Sequence, residues 1–305
     1  MYRHLLVPLD GSPLAESALP AAVKMSALFE GRVTLLHVME AHPPKAVHGS
    51  RHLVEAGEAE AYLAEVEEWL RERDVTVDSH VHAPGMEPAR GVADHARELG
   101  ADLVVLCAHG GRGMRGLLHG RLGQQVVAEA NTPALVVPTS LAGRDAEWRC
   151  ARILAAMTSD PGERGALDPA LALARAARAR LVLVRVVATP ETVSDDRRWP
   201  ARLLPSGARA MLEGEARTAV AYLERLGAEL AAQGIEVSGV VERGDPVTGL
   251  TVAAARLDAD VLVLATRGAA GLSAVWTGSV TARLIERVDR SLLLTLQSSH
   301  RPPRD

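Results

Sequence analysis

Two glycine-rich stretches carry the residue types that handle an anion. In the first, running from Cys107 to Arg121, Gly110 and Gly120 stand ten apart. In the second, from Ala265 to Ser279, Gly268 and Gly278 repeat that spacing. Glycine leaves no Cβ between a backbone N–H and a phosphate oxygen, and the N-terminus of a following helix adds its dipole. His109 directly precedes Gly110, where its cationic form would pair with phosphate; a ring packed beside the loop fits the same position equally well.

Other groupings point to chemistry less well. Gly111-Arg112-Gly113-Met114-Arg115-Gly116 spells the dinucleotide pattern, but it follows the fourth strand of its domain, not the first, and no acidic residue ends the next strand. Lys24-Met25-Ser26 has the letters of a synthetase loop but falls inside an amphipathic helix, with Val23 and Ala27 expected on its core face. His80 and His82 alternate on a strand, and His48 and His52 are four apart in a loop, each pair without the carboxylates or thiols that complete a metal shell. No lysine follows a glycine run as in a P-loop, and no Ser-His-Asp or paired-carboxylate constellation stands out. The residues read as a ligand site with no catalytic group; any hydrolysis of a bound phosphate ester would be slow and incidental.

The elements that must position these loops come in two copies. His4-Leu5-Leu6-Val7-Pro8-Leu9 returns 148 residues later as Arg152-Ile153-Leu154-Ala155-Ala156-Met157, and Val33 to Val38 returns at the same offset as Leu181 to Val186. Ala101 to Leu106 reappears at an offset of 158 as Ala259 to Leu264, and Ala134 to Val137 maps likewise onto Leu292 to Thr295. Short apolar runs of this kind suit strands buried on both faces. Between them lie helical stripes: Ala15, Ala18, Leu19, Ala22, Val23 and Ala27, starting after Ser12 as N-cap with Pro13 at the first helical position; Ala59, Leu63, Val66 and Leu70; and Leu212, Ala219, Leu223, Leu226 and Leu230. Strands alternating with helices imply parallel pairing through right-handed crossovers. The fold class is therefore α/β, two tandem open five-stranded parallel-sheet, Rossmann-like domains. The first spans 1–140 and the second 150–297, with 141–149 as linker and 298–305 as a C-terminal tail.

Composition narrows the partners. The 305 residues carry 34 basic and 38 acidic side chains and only 3% aromatics, which argues against nucleic acid as a partner. Lysine occurs only at Lys24 and Lys45, a coding bias toward Arg. Cys107 and Cys150 lack CxxC spacing, no secretory leader precedes Leu5, and no apolar run is long enough to span a bilayer. A cytoplasmic protein without membrane contact is expected.

Repeat, strand order and loop spacing together resemble the universal stress protein (UspA) family in its tandem two-domain form, with the adenine nucleotide α-hydrolase-like fold. That family's nucleotide pattern is Gly-x-x-Gly, nine residues, then Gly and Ser or Thr. The second copy matches it at Gly268, Gly278 and Ser279, with Ala265 for the first Gly; the first copy matches at Gly110 and Gly120, with Cys107 for the first Gly and Arg121 in place of the hydroxyl. The resemblance implies that Asp10, closing the first strand, holds the ribose and adenine end of ATP or AMP, and that the backbone at Val38 reads the base edge. At the position of Asp10 the second copy has Thr158. Each copy thus lacks a different part. A carboxylate on a ribose gives charge-assisted hydrogen bonds of about 1.5 to 3 kcal/mol each, more than one hydroxyl on a phosphate, and the Arg121 guanidinium can pair with phosphate instead, so the first copy is the better site. A Mg ion bridging the phosphates would be usual for bound ATP. The resemblance further implies an intramolecular pseudo-dimer of the two domains through Ala134–Val137 and Leu292–Thr295, and it is compatible with a homodimer of chains. The competing reading is a stress-related protein-interaction module that binds no nucleotide, its glycine turns serving as scaffold.

Overall fold

A computed structural model describes residues 1–40, 46–47, 50–51, 53–82, 87–108, 122–140, 143–158, 164–193, 205–266 and 280–296. The first copy comprises β1 (His4–Pro8), a 3-10 turn (Ala15–Ala18), α1 (Leu19–Phe29), β2 (Arg32–Val38), a small hairpin of β3 (Ala46–Val47) and β4 (Ser50–Arg51), α2 (Ala56–Arg71), β5 (Thr76–His82), α3 (Pro88–Glu98), β6 (Leu103–Cys107), α4 (Leu122–Ala130) and β7 (Ala134–Val137). The second comprises β8 (Arg152–Met157), α5 (Leu167–Ala177), β9 (Arg180–Val187), α6 (Pro205–Ala231), β10 (Val237–Arg243), α7 (Pro246–Arg256), β11 (Val261–Thr266), α8 (Val280–Arg287) and β12 (Ser291–Leu296). The α/β alternation read from the sequence is present in both copies. Among the described residues, no helix is long and apolar enough to cross a membrane.

The compact units cut the chain differently from the repeat. One holds Met1–Arg149 together with Thr266–Leu296; the other holds Cys150–Ala265. In the first unit the strands run in the order β12-β7-β6-β1-β2-β5, and in the second β10-β9-β8-β11. Within these two orders pairing is parallel except at β12, which lies antiparallel to β7 with Leu292 opposite Val136, Leu293 opposite Leu135 and Leu294 opposite Ala134. The two last strands therefore do pair, as the resemblance implied. Central strands are continuous apolar runs because helices cover them on both faces: Leu5, Leu6, Val7, Leu103, Val104 and Val105 are fully buried, as are Ile153, Leu154, Ala155, Val261, Leu262 and Val263.

Buried stripes on α2 (Ala59, Leu63, Val66, Leu70) and α6 (Leu212, Ala219, Leu223, Leu226, Leu230) are those the periodicity predicts. The first helix departs from its expected phase. The Ser12 hydroxyl accepts the Ala15 N–H at 3.2 Å, but the N-cap position of the 3-10 turn is Leu14, and the α-helix proper begins only at Leu19, with Ala18 as its N-cap. Four residues at about 120° each, in place of 100°, rotate the downstream helix by roughly 80°. The buried face becomes Leu19, Ala21, Ala22, Met25 and Ser26, while Ala27 is exposed and Val23 half-exposed. The Lys24-Met25-Ser26 stretch is plain helix.

The fourth strand of each copy starts two residues later than its apolar run. Asp102 is spent on a clip: its Oδ2 and Oδ1 accept the backbone N–H of Arg3 at 3.0 Å and His4 at 2.9 Å. Asp260 repeats the arrangement, its Oδ2 accepting from Ala151 at 2.7 Å and Arg152 at 2.9 Å. The duplication thus extends to single hydrogen bonds.

Candidate functional site

In an open parallel sheet the chain reverses direction at the carboxyl ends of the strands, and ligands gather there. At the end of β1 the turn requires Gly11: its φ is +83°, and a Cβ there would meet Leu53 Cδ1 at 2.7 Å. This turn presents Asp10, half-buried. Its Oδ1 accepts both the Ser12 N–H at 2.9 Å and the Ser12 hydroxyl at 2.6 Å, so its own turn holds the carboxylate. Val38 ends the neighbouring strand, β2, nearly buried. Its side chain rests on Gly91 of α3, where a Cβ would stand 3.0 Å from Val38 Cγ1. The second copy repeats the contact between Val186 and Gly249, again at 3.0 Å.

On the other side of β1, Cys107 ends β6 and leads into the first glycine loop. Its thiol is buried and pushed up to about 12, chiefly by burial and further by the charge of Asp10, against a hydrogen bond from Ser17 that lowers it. At that value it is no nucleophile. Ser17 and its neighbour Glu16, both buried, lie on the 3-10 turn. The Tyr62 hydroxyl donates to Glu16 Oε1 at 3.1 Å, and Arg144 Nε stands 3.1 Å from Glu16 Oε2. Burial raises the Glu16 carboxyl above its ordinary range despite Arg144 and Tyr62, which pull it down. Tyr62 is held un-ionised by burial, then by the charges of Glu16 and Asp10.

Of the residues assigned from the sequence, Asp10 and Val38 are brought to the ends of two paired strands, with Pro8 opposite Leu36. His109, Gly110, Gly120 and Arg121 of the first copy, and Gly268, Gly278 and Ser279 of the second, lie outside the described residues, as do His48 and His52. In the second copy Thr158 follows β8, half-buried. His80 is exposed on β5, and His82 packs edge-on against His95 with ring centroids 4.7 Å apart. Among the described residues no group of three His, Cys, Asp or Glu is arranged to hold a metal. Sequence reasoning missed Glu16, Ser17, Tyr62 and Arg144. The one available signal was Glu16, an acid set among Ala15, Ala18 and Leu19 in an apolar stripe.

Comparison with known proteins settles the lineage. The sequence pattern of the Universal stress protein family matches residues 1–138 and again 150–295. The chain belongs to the universal stress protein family. Among its relatives, universal stress protein MJ0531 of Methanocaldococcus jannaschii is 26% identical over 142 residues, 45% of this chain and 82% of that one. Universal stress protein YxiE of Bacillus subtilis is 28% identical over 149 residues, 45% of this chain and 99% of the relative. A crystal structure of a universal stress protein from Archaeoglobus fulgidus superposes with a TM-score of 0.69 at 15% identity, covering 97% of both chains. That likeness shows the tandem fold. Single-domain universal stress proteins correspond to one copy each, so this chain carries the family's fold twice.

Proposed function

We propose that this universal stress protein binds an adenine nucleotide, ATP or AMP, as a ligand in its first copy, and that occupancy reports the energy state of the cell. The observation that carries the reading is the Asp10 carboxylate, locked by Ser12 at the end of β1 beside Cys107, from which the glycine loop departs. An anion fixed there meets ribose hydroxyls, while backbone N–H groups of Gly110 and Gly120 and the Arg121 guanidinium meet phosphate. The second copy, with Thr158 in place of the acid, binds less well despite Gly268, Gly278 and Ser279. For a Mg ion accompanying ATP, phosphate oxygens and water would be the usual donors. In this reading any hydrolysis is slow and incidental, and nucleotide acts by favouring one conformation. Both cysteines are buried thiols, in keeping with a reducing, cytoplasmic setting.

The test is to heat-denature the purified protein, chromatograph the supernatant for released nucleotide, and titrate ATP and AMP into the parent and the Asp10→Ala, Gly110→Val and Ser279→Ala variants. Loss of binding in the first two with retention in the third is expected. A parent with no released and no titratable nucleotide refutes the proposal.

A further inference from the structure

The segment that joins the two copies is fastened at three points within the compact unit that holds Met1–Arg149 and Thr266–Leu296. The Gly143 N–H donates to Ser17 Oγ at 3.1 Å. Arg144 reaches two acids, Glu16 through Nε at 3.1 Å and Glu65 through Nη2 at 2.8 Å. Trp148 is buried, and its indole Nε1 donates to Ser291 Oγ at 2.9 Å. A joining segment that served only as tether would have no use for a guanidinium directed at a buried carboxylate.

Two of these anchors stand one side chain away from the nucleotide site. Ser17 accepts from Gly143, and the 3-10 turn that carries it is tied to Asp10 through Ser12, whose hydroxyl donates to Asp10 Oδ1 at 2.6 Å and accepts the Ala15 N–H at 3.2 Å. Glu16 accepts from the Tyr62 hydroxyl, which feels the charge of Asp10. The groups facing Glu16 are thus Arg144, Tyr62, Glu65 and Asp145. Desolvating a carboxylate and a guanidinium offsets much of their attraction, so such a pair adds little net stability. It supplies a contact that is either made or broken, which is the property a two-state element needs.

We propose that residues 143–148 form a latch whose fastening is coupled to occupancy of the first copy's nucleotide site. The inference rests on the nucleotide reading above. A ribose on Asp10 braces, through Ser12, the turn that carries Glu16 and Ser17, so nucleotide tightens the latch. By reciprocity, a latch that cannot fasten lowers nucleotide affinity by the same factor.

Amide hydrogen exchange over residues 143–148, with and without saturating Mg-ATP, is measured alongside ATP titration in the full-length parent and in Arg144→Gln, a change on the half-exposed strap that leaves the core untouched. In the parent, ATP is expected to slow exchange of this segment by about fivefold or more. In Arg144→Gln the segment exchanges faster without ligand, and the Kd for ATP rises by the factor seen in the exchange. A parent that binds ATP with unchanged or faster exchange overturns the latch and leaves the nucleotide reading intact, as does Arg144→Gln with the parent's Kd. A parent that binds no ATP overturns both.

Discussion

His4 Nε2 lies 2.8 Å from Thr34 Oγ1, and the Thr34 hydroxyl donates onward to Asp78 Oδ1 at 2.5 Å. Since the Thr34 proton is committed to Asp78, His4 must donate from Nε2. Its Nδ1 then accepts from Arg32 Nη2 at 3.1 Å. The ring is neutral and fully satisfied, buried at the amino ends of β1, β2 and β5.

This wiring predicts a pH dependence. Burial, followed by the charge of Arg32, holds the His4 pKa below 6.5. The unfolded ring therefore takes up a proton that the folded one refuses, so stability is full above about pH 6.5 and declines as the pH falls below it. Thermal unfolding of the parent and His4→Asn at pH 7.5 and 5.5 checks this. The parent should lose more between the two values, and equal losses would refute the assignment.

The paired clips predict paired costs. Asp102→Ala and Asp260→Ala each leave two strand-entry N–H groups without a carboxylate, at a cost of about 2 kcal/mol. Urea unfolding should show similar losses for the two, with the Asn variants milder.

Glu16 predicts an inversion. Its carboxyl is raised above 4.5 by burial, so the ionised form carries a cost at neutral pH that is relieved as the pH falls toward 4.5. Glu16→Gln, which keeps the shape and removes the charge, should unfold at the parent's temperature or higher at pH 7, with that advantage shrinking on acidification. Residues 143–148 should nonetheless exchange faster in this variant. A marked loss of stability at pH 7 would show that the ion pair with Arg144 is worth more than its desolvation.

The two helical glycines separate packing from ligand binding. Gly91→Val and Gly249→Val each drive new methyls into a valine already at contact, costing about 1 to 3 kcal/mol. Gly91→Val displaces Val38 and should weaken ATP binding, whereas Gly249→Val, acting on Val186, should leave it unchanged. Calorimetric titration of both variants makes the comparison.

Cys107 should be inert. At about 12, roughly one thiol in ten thousand is ionised at pH 8. Iodoacetamide on the native protein should therefore leave Cys107 unmodified by mass spectrometry, and alkylate it once the chain is denatured.

Much of this architecture was legible because double burial writes itself into composition. Leu5 to Val7 and Val261 to Val263 can only be central strands, and Leu212 through Leu230 can only be one helical face. What periodicity could not carry was a change of helical pitch: the 3-10 turn at Ala15–Ala18 moved Ala27 from the expected core to the surface. The strap was illegible for a different reason. Gly143, Arg144 and Trp148 find their partners 126, 128 and 143 positions away, at Ser17, Glu16 and Ser291, and no local pattern marks such pairings. For the site, Asp10 is singled out only by the family resemblance, and its immobilisation by Ser12, a matter of turn geometry, is visible only in the structure.

The placement of β12 bears on how the chain is made. Its partner β7 is complete once residue 137 has been synthesised, yet the strand that covers it is not available until Ser291–Leu296 emerges from the ribosome. From the completion of β7 until β12 is made, the growing polypeptide displays an apolar edge at Ala134–Val137, the kind of surface that recruits chaperones or a neighbouring nascent chain. Folding of the amino-terminal half is thus finished last, and premature termination anywhere before β12 strands it incomplete.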